Sequence, residues 1–395
     1  MRGRGIRIAV DARSAIGPGK TGVGQYASHL LEILPRQDPS TTYVYWYLHV
    51  RGALRLDARR HLFDHVREPN VEEVRVPIPT RLFESVVARV GIPRVEWTTR
   101  FDLLFALNFV PPPTRTRTLV LTVHDLAFRR YPETAPSRTR RWLSRVDRSI
   151  ARATRIIVVS EQTRRDLLAF YPVDPERVAV VPLGVDLDVY RPAPAASIDA
   201  VRRRFGIDGP YLLALAAIEP RKNLPTLVRA YAALPDAGRP TLVIAGPAAR
   251  WNPEGWNLLR DALGRLPTTI RDRIVLTGYV EVPEKVALLS GAEALVYPSL
   301  YEGFGLPVLE SMACGTPVLT SDVSALPETA GGAALLVDPH EGSSITAGME
   351  RLLNDAALRE ELRRAGAERV RSFDWERTGR LTVAVLHEAL AAHHP

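Results

Sequence analysis

The chain has 395 residues, enough for two or three domains, and its 46% hydrophobic and 24% charged residues exclude a disordered or fibrous polymer. An Arg-rich net charge of +8 points to anionic partners, either phosphorylated small molecules or anionic lipid; no basic-aromatic RNA module or helix-turn-helix pattern argues for nucleic acid. Cys314 is the single cysteine, which excludes an internal disulfide and a multi-cysteine metal site, and no run approaches the ~18 apolar residues that span a bilayer, so a cytoplasmic protein is expected.

Ile6–Val10 reads as the first strand, reached with no leader-like apolar run before it. A glycine-rich stretch follows, Gly17-Pro-Gly-Lys-Thr-Gly22-Val-Gly24-Gln-Tyr-Ala27. Gly19-Lys20-Thr21 imitates the end of a phosphate-binding P-loop, but the first glycine of that motif would fall on Ser14. Gly22-x-Gly24-x-x-Ala27 also fits a dinucleotide fingerprint, although the next strand, Tyr43–Leu48, does not end in the acidic residue that reads a ribose. Either way, glycine there lets backbone come close to an anion. Further strands are expected at Leu103–Ala106 and Leu119–Val123, the second followed at once by His124-Asp125.

Arg138, Arg141, Arg145, Arg148, Arg152 and Arg155 recur every three or four residues opposite Trp142, Val146 and Ala153, which predicts one amphipathic basic helix. It is either a solvated face or a contact with anionic membrane or a phosphorylated acceptor. Strands at Ile156–Val159 and Val178–Val181 complete the first half. From Leu183 to Ile207 the prolines and lack of periodicity read as a linker, and its Asp186-Leu-Asp188, a metal-binding pattern elsewhere, falls there away from the other candidates, so no metal is expected.

The second half repeats the alternation, with strands at Tyr211–Ala216, Leu242–Ala245, Ile274–Leu276, Ala294–Tyr297, Pro317–Thr320 and Ala334–Val337 and a final helix over Phe373–Leu390. Runs apolar throughout suit parallel sheets covered on both faces, and strand–helix alternation predicts doubly wound α/β domains. Arg221 and Lys222 follow one strand and suit a pyrophosphate, Arg as a bidentate donor and Lys as a compact charge. Gly246 and Gly278-Tyr279-Val280 follow two others. In Tyr301-Glu302-Gly-Phe304-Gly305-Leu306-Pro307-Val-Leu-Glu310 a strand gives way to a loop and then a helix opening near Leu306 or Pro307, so the amides of Phe304, Gly305 and Leu306 lie at a helix start that attracts phosphate. Glu302 and Glu310 flank it and suit hydroxyl groups better than phosphate.

SLYEGFGLPVLESMACGTPVLTSDVSALPE at Ser299–Glu328, with VSEQTRRDL at Val159–Leu167, VPLGVD at Val181–Asp186 and EPRKNL at Glu219–Leu224, resembles the retaining GT-B glycosyltransferases of family 4 over most of the chain. The resemblance implies two Rossmann-like parallel-sheet domains facing across a cleft, over residues 1–185 and 207–372. A linker at 186–206 joins them, and a helix at 373–395 either stays with its own domain or crosses back to the first. It implies a metal-independent retaining hexosyltransferase with no cofactor, its co-substrate a nucleotide diphosphate sugar. Glu302 would then hold donor-sugar hydroxyls, Glu310 the ribose, and Lys222 the phosphates; Arg221 is displaced from the family's usual arginine. Tyr279 and Val280 would flank the base, Gly22 and Gly24 approach the distal phosphate or the acceptor, His124 touch the donor sugar, and Asp125 orient the imidazole or meet the acceptor. The leaving phosphate would help deprotonate an acceptor hydroxyl on a glycan, lipid-linked or small molecule. GDP-mannose is the first donor expected, in surface polysaccharide assembly. A nucleotide-sugar epimerase, a phosphorylase, or a non-catalytic nucleotide-sugar-binding protein on the same scaffold is the alternative.

Overall fold

The computed structural model describes residues 5–16, 22–48, 68–78, 83, 91–132, 139–248 and 253–392, in two compact units. Met1–Leu126, Arg138–Gly184 and Trp375–Pro395 form the first; Ala127–Ser137 and Val185–Asp374 form the second.

The first unit holds β1 (Arg7–Asp11), β2 (Thr42–Leu48), β3 (Val71–Val76), β4 (Leu103–Ala106), β5 (Leu119–Val123), β6 (Arg155–Val158) and β7 (Val178–Val180). Their order is β3-β2-β1-β4-β5-β6-β7, all parallel. Ile8, Ala9, Val10, Leu103, Leu104, Phe105, Val120 and Leu121 are wholly buried, as strands covered on both faces must be. β3 escapes a search for apolar runs because it is an edge strand. Its VEEVRV mixes three charged residues with three valines, and its carboxylates meet neighbouring polar groups, Glu72 with Arg7 at 2.7 Å and Glu73 with the Tyr47 hydroxyl at 3.0 Å.

The second unit holds β8 (Tyr211–Leu215), β9 (Thr241–Ala245), β10 (Ile274–Gly278), β11 (Ala294–Tyr297), β12 (Val318–Ser321) and β13 (Leu335–Val337), again all parallel, in the order β10-β9-β8-β11-β12-β13. Leu212, Leu242, Ile244, Val296 and Leu319 join Leu227, Val228 and Ile345 from covering helices in one apolar core.

Two expectations are corrected. The stretch read as linker contains a helix, Ala195–Phe205, with Val201 buried and Gly206 closing it in the left-handed conformation at φ +63°. Its prolines, Pro192 and Pro194, precede the helix, where they do not break its hydrogen bonds. The basic helix spans only Thr139–Arg152; Arg155 belongs to β6 and pairs with Glu388 at 3.7 Å, while Arg152 donates to the Thr114 carbonyl at 3.1 Å. That arginine row is therefore not one continuous solvent-facing stripe, and Arg138 lies outside the described residues.

The final helix, Trp375–Ala391, packs within the first unit on the helix Gly22–Gln37. Gly379 permits the approach, since a Cβ there would sit 2.3 Å from Ile33 Cγ2. Trp375 stacks on His29 at 4.3 Å, Thr378 donates to the Pro182 carbonyl at 2.8 Å, and His387 Nε2 lies 2.7 Å from Asp38 Oδ2.

Candidate functional site

In a doubly wound sheet the crevice lies at the carboxyl ends of the two strands between which the order reverses. In the second unit those strands are β8 and β11. β8 leads into the short 3-10 turn Pro220–Lys222, and β11 into the loop that carries Glu302. Backbone stitches the two together. The Leu300 amide donates to the Arg221 carbonyl at 2.8 Å, and Asn223, in the left-handed conformation that asparagine tolerates, donates its side-chain amide to the Pro298 and Pro339 carbonyls at 3.1 and 2.7 Å.

Residues 80 positions apart thereby meet. Lys222 Nζ donates to Glu302 Oε1 at 2.5 Å and Arg221 donates to Glu302 Oε2 at 2.9 Å. Arg221 also reaches the Tyr301 carbonyl at 3.1 Å and Glu219 Oε2 at 3.0 Å. The Tyr297 hydroxyl donates to Glu302 Oε1 at 2.7 Å, and the Glu302 amide donates to Ser324 Oγ at 3.0 Å. Glu302 and Lys222 are both buried. Burial alone would push the carboxyl up, but Lys222, Arg221 and their hydrogen bonds outweigh it and hold Glu302 down at about 2. Burial and the adjacent Arg221 lower the Lys222 ammonium from its ordinary value, against the pull of Glu302 and Glu219. Two cations and two carboxylates cancel formally, so any pull on an outside anion is local.

Next to this cluster the helix Leu306–Ala313 begins at Gly305, whose φ of +99° suits glycine and whose hypothetical Cβ would lie 2.8 Å from Leu326 Cδ2. Pro307 occupies the first turn, which holds no acidic side chain, so the positive end of the helix is not neutralised from within. The Phe304 carbonyl is taken by Thr329 Oγ1 at 2.5 Å. Glu310, on that helix and buried, accepts from Lys285 Nζ at 2.7 Å, and Lys285 in turn lies 4.7 Å from the centre of the Tyr190 ring. Gly278 ends β10 at φ +71°, Tyr279 is exposed and Val280 is buried. Gly246 comes so close to β8 that a Cβ would meet the Ala216 carbonyl oxygen at 2.0 Å.

The remaining expected residues lie in the first unit. Gly22 and Gly24 open the helix Gly22–Gln37, and the buried Gly24 gives its carbonyl to Ser28 Oγ at 2.9 Å; Gly17, Gly19, Lys20 and Thr21 fall outside the described residues. His124 is buried at the end of β5, its Nε2 2.9 Å from the Leu107 carbonyl, its ring edge-on to Tyr26 at 4.8 Å and to Phe109 at 6.2 Å. Burial pushes the imidazole below its ordinary value, against the Leu107 carbonyl and the neighbouring Asp125, which is partly exposed. Asp186 Oδ1 accepts from the amides of Asp188 and Val189 at 3.0 and 3.2 Å, which makes Asp186-Leu-Asp188 a turn. Among the described residues no group of three or more His, Cys, Asp or Glu is placed to hold a metal ion.

Tyr297, Lys285 and Ser324 escaped the sequence reading. A phenol ending an otherwise apolar strand and a lysine inside the apolar VPEKVALL were the available signals.

Two family descriptions divide the chain between them, "Glycosyltransferase Family 4" over residues 21–189 and "Glycosyl transferases group 1" over residues 197–369. O-antigen chain mannosyltransferase B of Escherichia coli is 31% identical over 267 residues, 67% of this chain and 68% of that protein. The chain belongs to the family 4 (group 1) glycosyltransferases. Serotype-specific mannosyltransferase WbdA of Escherichia coli is 30% identical over 236 residues, 59% of this family 4 chain but only 28% of the longer WbdA. Among solved structures, Anabaena Alr3699/HepE in complex with UDP and glucose superposes with a TM-score of 0.71 at 18% identity, covering 98% of this chain and 100% of that one. The paired parallel sheets are thus those of a GT-B glycosyltransferase. No helix among the described residues is long and apolar enough to cross a membrane.

Proposed function

We propose that this glycosyltransferase moves a hexose, mannose first, from a nucleoside diphosphate sugar to a hydroxyl of a glycan, lipid-linked or small-molecule acceptor, with retention and without a metal ion. The observation that carries the reading is the meeting of Lys222, Arg221 and Glu302 at the β8–β11 crossover, next to the unneutralised helix start at Gly305. A leaving diphosphate gathers negative charge, and fixed donors aimed at that charge lower the barrier, each worth about 10²–10³ in rate. Because the charges of the cluster cancel, the spare N–H of the Lys222 ammonium and the first helix amides are the groups left to supply that aim. Glu302, ionised at any working pH, accepts hydrogen bonds from hydroxyls of the donor sugar. Glu310, held ready by Lys285, is assigned to the ribose, and Gly278, Tyr279 and Val280 to the base.

Mannose is favoured because the Escherichia coli relatives are named as mannosyltransferases, and UDP-glucose is its chief competitor because the HepE structure holds UDP and glucose. The test is transfer and donor turnover over GDP-, UDP-, dTDP- and ADP-sugars, with and without excess EDTA, reading the anomeric configuration of the product. Retained configuration, undiminished turnover in EDTA and a loss of about 10²–10³ in Lys222→Ala and Glu302→Gln are expected. Near-normal rates in both variants, with native circular dichroism, would remove this mechanism. Donor conversion without any acceptor would favour the epimerase alternative.

A further inference from the structure

Tyr297 ends β11 beneath the cluster and has no part in the assignment above. Its side chain is buried, and three contacts close a triangle. Lys222 Nζ donates to the Tyr297 hydroxyl at 2.8 Å and to Glu302 Oε1 at 2.5 Å, while the Tyr297 O–H donates to the same Oε1 at 2.7 Å. The ammonium lies 5.2 Å from the centre of the phenol ring, at its hydroxyl edge.

We propose that Tyr297 is a positioning residue for sugar transfer: its hydroxyl accepts a hydrogen bond from one N–H of Lys222 and donates its own O–H to Glu302, so that the ammonium keeps one fixed donor direction for the departing phosphate. This rests on the assignment of Lys222 to the phosphates. A lysine is a compact charge on a flexible four-carbon stem with three rotatable donors. With two donors engaged at fixed points, the third cannot swing. Without the phenol oxygen the head group pivots about the single contact to Glu302, and the charge remains while its direction is lost. The polarity of the arrangement is set by chemistry. A carboxylate accepts only, an ammonium donates only, and the phenol alone can do both. Burial beside Glu302 pushes the phenol far above its ordinary value, so it stays protonated and keeps donating to the carboxylate.

The arrangement also bears on the charge of Lys222. Arg221 and Glu219 from the turn after β8 and Glu302 from the loop after β11 are the charged groups acting on it, and burial with Arg221 already lowers the ammonium. The phenol oxygen, as an acceptor, favours the charged form. Its loss moves deprotonation of Lys222 to still lower pH.

Tyr297→Phe in the full chain tests this, with kcat and donor KM followed across pH beside Lys222→Ala. The expected result is a fall in kcat of about 10- to 100-fold with donor KM nearly unchanged, and an alkaline limb of kcat displaced to lower pH. Tyr297→Met, which lacks ring and hydroxyl alike, should show the same limb; it also carries the test if Tyr297→Phe melts below assay temperature. A Tyr297→Phe enzyme with ordinary kcat and an unmoved limb overturns the proposal, and so does a loss seen in Tyr297→Met alone, which would assign the effect to packing of the ring. If Lys222→Ala is also fully active, the fault lies with the phosphate assignment; if it is inactive while Tyr297→Phe is normal, only the role of Tyr297 falls.

Discussion

At the carboxyl ends of β8 and β11 the second unit buries Lys222 and Glu302 beside Arg221 and Tyr297. At the matching ends of β1 and β4 the first unit places Asp11 bound to its own neighbour Arg13 by two contacts of 2.7 Å, then the Leu107 carbonyl that meets an uncharged His124, with Tyr26 and Phe109 around the imidazole. The strand order through the crossover is the same in both sheets. Shared topology therefore says where each sheet offers a site, and the side chains differ: in one, two cations meet a buried carboxylate across two strands; in the other, an ion pair closes on itself after one strand beside a buried imidazole edged by aromatic rings.

The comparison breaks if the charges are not what holds the second site together. Glu302→Gln is the severest trial. It leaves two cations facing a neutral amide, and removing one partner of a buried pair costs about 3–5 kcal/mol, read by denaturant unfolding. The variant should also lose an acid sensitivity. Glu302 sits at about 2 against an ordinary 4.5, so its contribution is fully present above 4.5 and is lost as pH falls toward 2. Lys285→Met, which strands the buried Glu310, should cost about 3 kcal/mol by the same measurement. Gly305→Ala must adopt a positive φ, a strain of about 1–3 kcal/mol; the Leu326 methyl in its way can turn aside, so a lowered melting temperature with weaker nucleoside diphosphate binding is expected. His124→Phe sharpens the contrast from the other side. The folded imidazole is kept neutral while the unfolded chain takes up a proton near the ordinary 6.5, so the wild type loses stability as pH drops below that value and the variant does not. The difference should grow as pH falls below 6.5, read by denaturant unfolding of both proteins. If this last substitution proved the costliest at neutral pH, the two edges would not differ as described.

Much of the sheet architecture was legible because a strand covered on both faces has to be apolar throughout. Leu103–Ala106, Leu119–Val123 and Ala294–Tyr297 were readable to the residue for that reason. β3 was not, since an edge strand keeps charge on its open face, and Ala195–Phe205 was hidden behind prolines that mark the entry to a helix as often as an irregular segment. The helix start at Gly305 could be read from its glycine and proline alone. What spacing could not supply was partnership. The approach of Lys222 to Glu302 depends on β8 lying beside β11, a pairing between segments 80 residues apart, and the family resemblance assigned both residues to one donor without pairing them. Tyr297 and Lys285 stayed hidden because a single polar group in an apolar run reads as core until its partner is known.

The helix Trp375–Ala391 also bears on the order in which the protein is made. Its Val385, Leu386 and Ala389 complete a core whose first strand is translated some three hundred and seventy residues earlier, whereas everything the second unit needs has been synthesised by Asp374. During vectorial synthesis the first unit therefore cannot close its core until Trp375–Ala391 has been made, long after its seven strands.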